Sequence, residues 1–275
     1  MSKLFTTTLL LNSLLLADSN NKVVESFLED SFKNNPNITS LKAKVVDKMP
    51  IEQLKGWEGL VVSIEATLKA QEQEKVVKQK MIWFTNGQAI TKELIDLKTG
   101  IDYKDLISPS FLNEYYIKEN LIYGDANAKH KVVIFSDPLC PFCRDFIPKA
   151  IQEMKKEPQK FALYYFHFPL PSIHPASVEL SLAAIAAEQK GHKDVVLNLY
   201  KVEIDPKERD IAKILTAFNK ALNADIKEAD IKTAQVLNHY KSDLAIAEEV
   251  MVQGTPTLFF DGKVDKTKKK YQKAQ

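Results

Sequence analysis

Lys131-Val-Val-Ile-Phe-Ser-Asp-Pro-Leu-Cys140-Pro-Phe-Cys143 is the stretch that decides how this chain folds. Lys131 to Ser136 is rich in β-branched and aromatic residues, Asp137-Pro138 breaks the run, and Pro141 suits the first turn of a helix. Cys143, Ile147, Ala150, Ile151 and Met154 then recur at helical spacing as one apolar stripe. Cys143 heads that stripe. Cys140 is left at the helix mouth, where unpaired backbone N–H groups and the helix field favour a thiolate.

These are the only two cysteines in 275 residues. A CxxC pair on a strand-to-helix turn is a thioredoxin-like redox signal, because two thiols so placed can alternate between dithiol and disulfide. Cys140 is expected as the exposed attacking thiol and Cys143 as the resolving thiol, with Pro141 and Phe142 between them. A purely structural Cys140–Cys143 disulfide would close too short a loop to remove much unfolded-state entropy. Zinc would need two more ligands, and none of His130, His167, His174, His192 or His239 lies at a recognisable metal spacing. No metal and no other cofactor is expected, and His167 and His174 read as structural rather than catalytic.

At the N-terminus, Lys3 precedes an apolar run from Leu4 to Ala17, and the chain turns polar at Asp18. One positive residue, a short apolar run and a small residue before a polar turn read as a secretory signal over 1–17, too short for a comfortable membrane span. Export agrees with the cysteine pair, since a reversible disulfide is useful in an oxidising compartment. Export to an oxidising compartment is the expected fate of the chain. Charge is nearly balanced, with 38 basic and 36 acidic residues, and only Arg144 and Arg209 are arginines. Nucleic acid is therefore not an expected partner.

The length predicts two domains. Residues 22 to 33 read as a short helix, and Ile38–Met49, Leu60–Leu68 and Val76–Phe84 alternate like strands. Asn86-Gly87 is a hairpin turn, with Gln88–Leu97 as the return strand. A helix followed by a small antiparallel sheet over 20–100 sits near the lower size limit for an independent core, so a dimerisation or substrate-presenting domain is expected, with a monomeric packing module as the alternative. Residues 101–119 read as a linker ending in a short amphipathic helix that begins near Pro109.

The redox domain spans 120–275. Lys160 to Phe166 is a near-continuous apolar strand, typical of a sheet covered on both faces. Residues 176–250 are helical in pattern, an insertion too long for a plain crossover. The chain returns to the sheet at Gly254-Thr255-Pro256-Thr257-Leu258-Phe259-Phe260, where glycine before proline at a strand entrance invites a cis peptide. The expected fold class is α+β.

With Cys140-Pro-Phe-Cys143 and Gly254-Thr255-Pro256 placed, the chain resembles the periplasmic thiol:disulfide interchange proteins of the DsbC/DsbG type, within the Dsb and thioredoxin superfamily. The run Ile134-Phe-Ser-Asp-Pro-Leu-Cys-Pro-Phe-Cys143 is especially similar to the DsbG side. The resemblance implies a homodimer built on a cystatin-like N-terminal domain, Cys140 as nucleophile, Cys143 as resolving thiol, and Pro256 as a cis-proline with Thr255 before it. It also implies exported cysteine-containing proteins as substrates and a membrane redox partner that resets the site. Two features depart from the family: extra structural cysteines are absent, and Gly262 to Gln275 leaves room for one strand and at most a short helix. The expected activity is disulfide formation or isomerisation. The alternatives are a reductase of oxidised single cysteines, which resembles DsbG, and a holdase chaperone whose disulfide is only structural.

Overall fold

The computed structural model describes residues 20–274 apart from 33, 34, 71, 72 and 108, so the signal expected over 1–17 lies outside the described residues. The chain divides into two compact units, Met1–Ser108 and Pro109–Gln275.

In the first unit a helix over residues 20–32 (α1) precedes a four-stranded antiparallel sheet. Its strands β1 (Ile38–Pro50), β2 (Glu58–Ala70), β3 (Gln73–Thr85) and β4 (Ile90–Thr91) lie in sequence order. Period-two alternation puts Leu60, Val62 and Ile64 of β2 on one face, where they pack with Ala43, Trp83 and Leu28 of α1. Edge strand β1 would leave amides unpaired. Glu25 Oε1 accepts from the Val45 N–H at 2.8 Å and Glu29 Oε1 from the Ala43 N–H at 3.0 Å, so the helix also satisfies the edge.

The return strand expected over Gln88–Leu97 is only Ile90–Thr91. Side chains take the backbone groups that a ladder would have used: Thr91 Oγ1 accepts from the Glu93 N–H, and Asp96 Oδ1 accepts from those of Lys98 and Thr99. Such local bonds compete with strand pairing and fold the segment into turns.

The second unit is built on a five-stranded sheet of β5 (Leu121–Tyr123), β6 (His130–Ser136), β7 (Phe161–His167), β8 (Thr257–Phe260) and β9 (Lys263–Val264) in the order β5-β7-β6-β8-β9. Only β6 and β7 run parallel, joined by helix α2 (Pro141–Lys155). The α2 stripe from Cys143 to Met154 is buried against Val132, Ile134, Leu163 and Tyr165 on one face. Phe111, Phe135, Tyr164, Phe166 and Phe259 fill the other. All seven β7 residues are buried, the pattern of an interior strand covered on both sides.

Five helices separate β7 from β8: α3 (Ser177–Gln189), α4 (Val195–Leu199), α5 (Ile211–Leu222), α6 (Glu228–Ile231) and α7 (Ala234–Glu249). They have a core of their own around Leu180, Ile185, Ile214 and Phe218. Asp210 and Thr233 cap α5 and α7 by accepting backbone N–H bonds. The chain closes with β9 and helix α8 (Lys270–Lys273).

The amphipathic helix expected near Pro109 is not formed. The segment makes three-residue 3-10 turns at Asn113–Tyr115 and Lys118–Asn120 instead. Its apolar residues are spent differently from a helix stripe. The Phe111 N–H donates to the Gly262 carbonyl at 2.8 Å, and the Phe111 ring is buried among Tyr116, Phe135, Phe166 and Phe259, which holds the backbone out of helical pairing.

A polar cluster ties α7 to β7. The buried Asp243 carboxyl accepts from Asn120 Nδ2 at 2.7 Å and from the His167 N–H at 2.8 Å, and burial pushes its pKa well above the ordinary range. Burial, helped by nearby His239, pushes the His167 imidazole down to about 3. The unfolded chain binds that proton below about pH 6.5 and the folded chain does not, so this contribution is present above 6.5 and lost as pH falls toward 3, at about 1.4 kcal/mol per pH unit. Asp243 works oppositely, stabilising below its ordinary carboxyl range and losing that contribution as pH rises. His167→Phe should therefore narrow the gap in Tm between pH 7 and pH 5; an unchanged gap would contradict the assignment.

Glycine matters most where β5 turns toward β6. Gly124 has φ +81°, and a Cβ there would meet the Phe161 carbonyl oxygen at 1.9 Å. Gly87 has a similar φ of +82° in open space. Gly124→Ala should cost about 3 kcal/mol or more by chemical denaturation and Gly87→Ala about 1 kcal/mol; equal costs would refute the steric reading.

Candidate active site

Helix α2 places the two sulfurs. Pro141 occupies its first turn, which needs no N–H there, and Cys140 is the N-cap residue in an extended conformation with φ −65° and ψ 122°. The Cys140 carbonyl accepts from the Arg144 N–H at 3.0 Å, starting the helix, while the Cys140 N–H donates to the Asp137 carbonyl at 3.2 Å. Both cysteines are free thiols.

Their surroundings differ from the expectation in one respect. Cys143 is fully buried, but Cys140 is only 5% exposed rather than open to solvent. The reason is the loop before β8: the Cys140 thiol donates to the Thr255 carbonyl over 3.6 Å, and the Thr255–Pro256 peptide, which is cis, lies against it. The exposed group of the motif is Phe142, at 75%. Burial pushes the Cys143 thiol up to about 11, and the proximity of Cys140 adds to the rise. Against it work the Ser136 hydroxyl, the Asp137 backbone and, more weakly, the Thr255 hydroxyl, which is buried without a partner of good hydrogen-bond geometry.

Asp137, read in the sequence only as part of a breaker, is a fully buried carboxylate that holds the loop in place. Its Oδ1 accepts from the Leu139 N–H at 2.7 Å. Its Oδ2 accepts from the Leu170 N–H at 2.8 Å and from Ser177 Oγ at 3.2 Å, and lies 3.0 Å from His174 Nδ1. One side chain thus pins the turn before Cys140 to the segment that leads into α3, and His174 serves that anchor. His167 lies at the end of β7, bonded through its backbone to Asp243. Arg144 also escaped the sequence reading: its Nη1 donates to the carbonyls of Pro138 at 3.3 Å and Val202 at 3.0 Å, joining active-site loop to inserted helices. Partners as far apart as Arg144 and Val202 leave no local signal. The arrangement suits thiol-based redox chemistry, with two sulfurs of unequal access at a helix N-terminus.

Among solved structures, the chain is similar to a thioredoxin-like oxidoreductase from Silicibacter pomeroyi DSS-3, at 22% identity and TM-score 0.44 over 58% of this chain and 92% of that one. It is also similar to oxidised BdbD from Bacillus subtilis, at 19% identity and TM-score 0.46 over 60% of this chain and 92% of that one. Among curated proteins, the Na(+)/H(+) antiporter NhaA 1 of Mycobacterium sp. strain KMS is 28% identical over 144 residues, which cover 52% of this chain and 23% of the antiporter. The chain thus spans less than a quarter of that relative's length. Residues 117–275, which hold the whole sheet from β5 to β9 and both cysteines, match the family described as thioredoxin, and the chain belongs to that family.

Proposed function

We propose that this protein is a periplasmic thiol:disulfide oxidoreductase of the DsbC/DsbG type, which forms or isomerises disulfide bonds in exported proteins. The observation that carries the proposal is the inequality of the two sulfurs on one helix mouth, Cys140 beside the Thr255 carbonyl and Cys143 sealed beneath it. In the oxidising direction, a substrate thiolate attacks Cys140 Sγ. The Cys140–Cys143 bond breaks, and Cys143 leaves with the electron pair and takes up a proton. A second substrate thiolate then attacks the substrate sulfur of the mixed disulfide, closing the substrate disulfide and releasing Cys140 as a thiolate. In the isomerising direction, the reduced Cys140 thiolate attacks a wrong disulfide, and Cys143 resolves the mixed disulfide if no substrate thiol does so first.

Thr255 offers its carbonyl beside the reacting sulfur, with Pro256 fixing the turn and Phe142 giving an exposed apolar contact for an unfolded substrate. A membrane redox partner would reset the pair. The first unit, with its helix on an antiparallel sheet and Val23 and Phe27 exposed on that helix, is proposed as a cystatin-like dimerisation domain. Export by the N-terminal segment completes the reading.

Cys140→Ala should abolish refolding of a scrambled disulfide protein and reduction of insulin, while Cys143→Ala should accumulate a mixed disulfide between Cys140 and substrate, visible on a non-reducing gel. Exchange retained in Cys140→Ala would sink the proposal.

A further inference from the structure

Three large apolar side chains are exposed among the described residues of the second unit: Leu112 at 47%, Phe142 at 75% and Ile173 at 56%. Phe142 lies between the two cysteines. Ile173 lies on the loop between β7 and α3, and that loop is built against the turn that carries Cys140. A single exposed isoleucine is ordinary, so its backing decides what it means.

That backing is firm. Pro169, Pro171 and Pro175 each fix φ, and the Leu170 carbonyl accepts from the N–H groups of Ile173 at 3.0 Å and His174 at 2.8 Å. The entry to the loop is tied to β6, where the Phe168 N–H donates to the Ser136 carbonyl at 2.9 Å. Asp137 closes the arrangement. Its Oδ2 accepts from the Leu170 N–H at 2.8 Å and lies 3.0 Å from His174 Nδ1, while its Oδ1 accepts from the Leu139 N–H at 2.7 Å, next to Cys140. One carboxylate thus holds both ends of the turn that presents Ile173 and the turn that presents the reacting sulfur.

We infer that Ile173 is a specificity-determining residue for the exchange reaction: with Phe142 it gives the mouth of the cysteine pair an apolar rim, which favours substrate cysteines that have a leucine, isoleucine, valine or phenylalanine two or four residues away. The inference rests on the exchange reading above and names the sequence context that the site selects. Cys140 is only 5% exposed and has the Thr255 carbonyl against it, so a substrate sulfur reaches it only when the chain on either side lies on the surface around the mouth. An extended chain does so at least cost. It advances about 3.3 Å per residue, so four residues span about 13 Å and carry a side chain from the Cys140 turn to the neighbouring one. Alternate side chains of such a chain share a face, and residues two and four places from the cysteine therefore point at the same surface as its sulfur. An apolar side chain set on Ile173 removes both from water, whereas a serine there dehydrates its hydroxyl with no partner in return. Ile173 forms no bond to either sulfur, and the exchange steps are those written above.

The test uses the oxidised full chain and two short single-cysteine peptides that differ only in carrying leucine or serine two and four residues from the cysteine. The second-order rate at which each opens the Cys140–Cys143 disulfide is expressed relative to the rate with dithiothreitol, which has no side chain to set on the loop. The leucine peptide should react about fivefold faster than the serine peptide. Ile173→Ser should bring that ratio close to one by slowing the leucine peptide, and Ile173→Leu should restore it, whereas Leu112→Ser should leave the ratio at its parent value. Being exposed, Ile173 can be replaced without disturbing a core, and Ile173→Lys is a second variant with the same expected loss. A leucine preference that survives in Ile173→Ser, or that is lost only in Phe142→Ser, would overturn the inference, and so would equal rates for the two peptides in the parent protein. Failure of the exchange reading looks different: neither peptide would open the disulfide in the parent or in any variant.

Discussion

The burial of Cys143 at the head of helix α2 is the constraint on which the site depends. The stripe from Cys143 through Ile147, Ala150, Ile151 and Met154 lies against the sheet, so the helix cannot rotate without exposing its apolar face. Fixing that face fixes the mouth as well. Cys140, three residues before Cys143 and at the edge of the same buried cluster, is held where the chain enters the helix, beside the Thr255 carbonyl. The inequality of the two sulfurs is therefore a product of core packing, and the chemistry proposed for them uses a difference that folding already enforces.

Three further contacts keep the mouth in register. The Asp137 carboxylate ties the entering turn to the segment before α3, Arg144 ties the same turn to Val202, and Tyr200 reaches Ser136 at the end of β6. Each joins the thioredoxin-like sheet to the inserted helices or their approach. The insertion is thus part of the wall behind the cysteines, and its own core around Phe218 gives that wall a rigid backing.

What the sequence made legible follows from periodicity. The α2 stripe, the unbroken apolar run of β7 and the alternation of β1 to β3 are local patterns, and they led to the elements found. Elements failed where side chains made unforeseen bonds. Asp96 and Thr91 dissolved the second half of the return strand, and Phe111 went to a distant aromatic cluster instead of a helix stripe. At the site, CxxC located the sulfurs, but the near-burial of Cys140 came from a loop more than a hundred residues away in sequence. The roles of Asp137, Ser136 and Tyr200 were hidden for the same reason: a buried polar residue is recognised by its partners, and those partners come together only in the fold.

The central claim is that the two thiols are unequal by construction, and site-resolved alkylation of the reduced protein tests it most directly. Brief exposure to iodoacetamide near pH 7, with each cysteine quantified by mass spectrometry, should label Cys140 well before Cys143. Labelling of Cys143 at the same rate or faster would contradict the account.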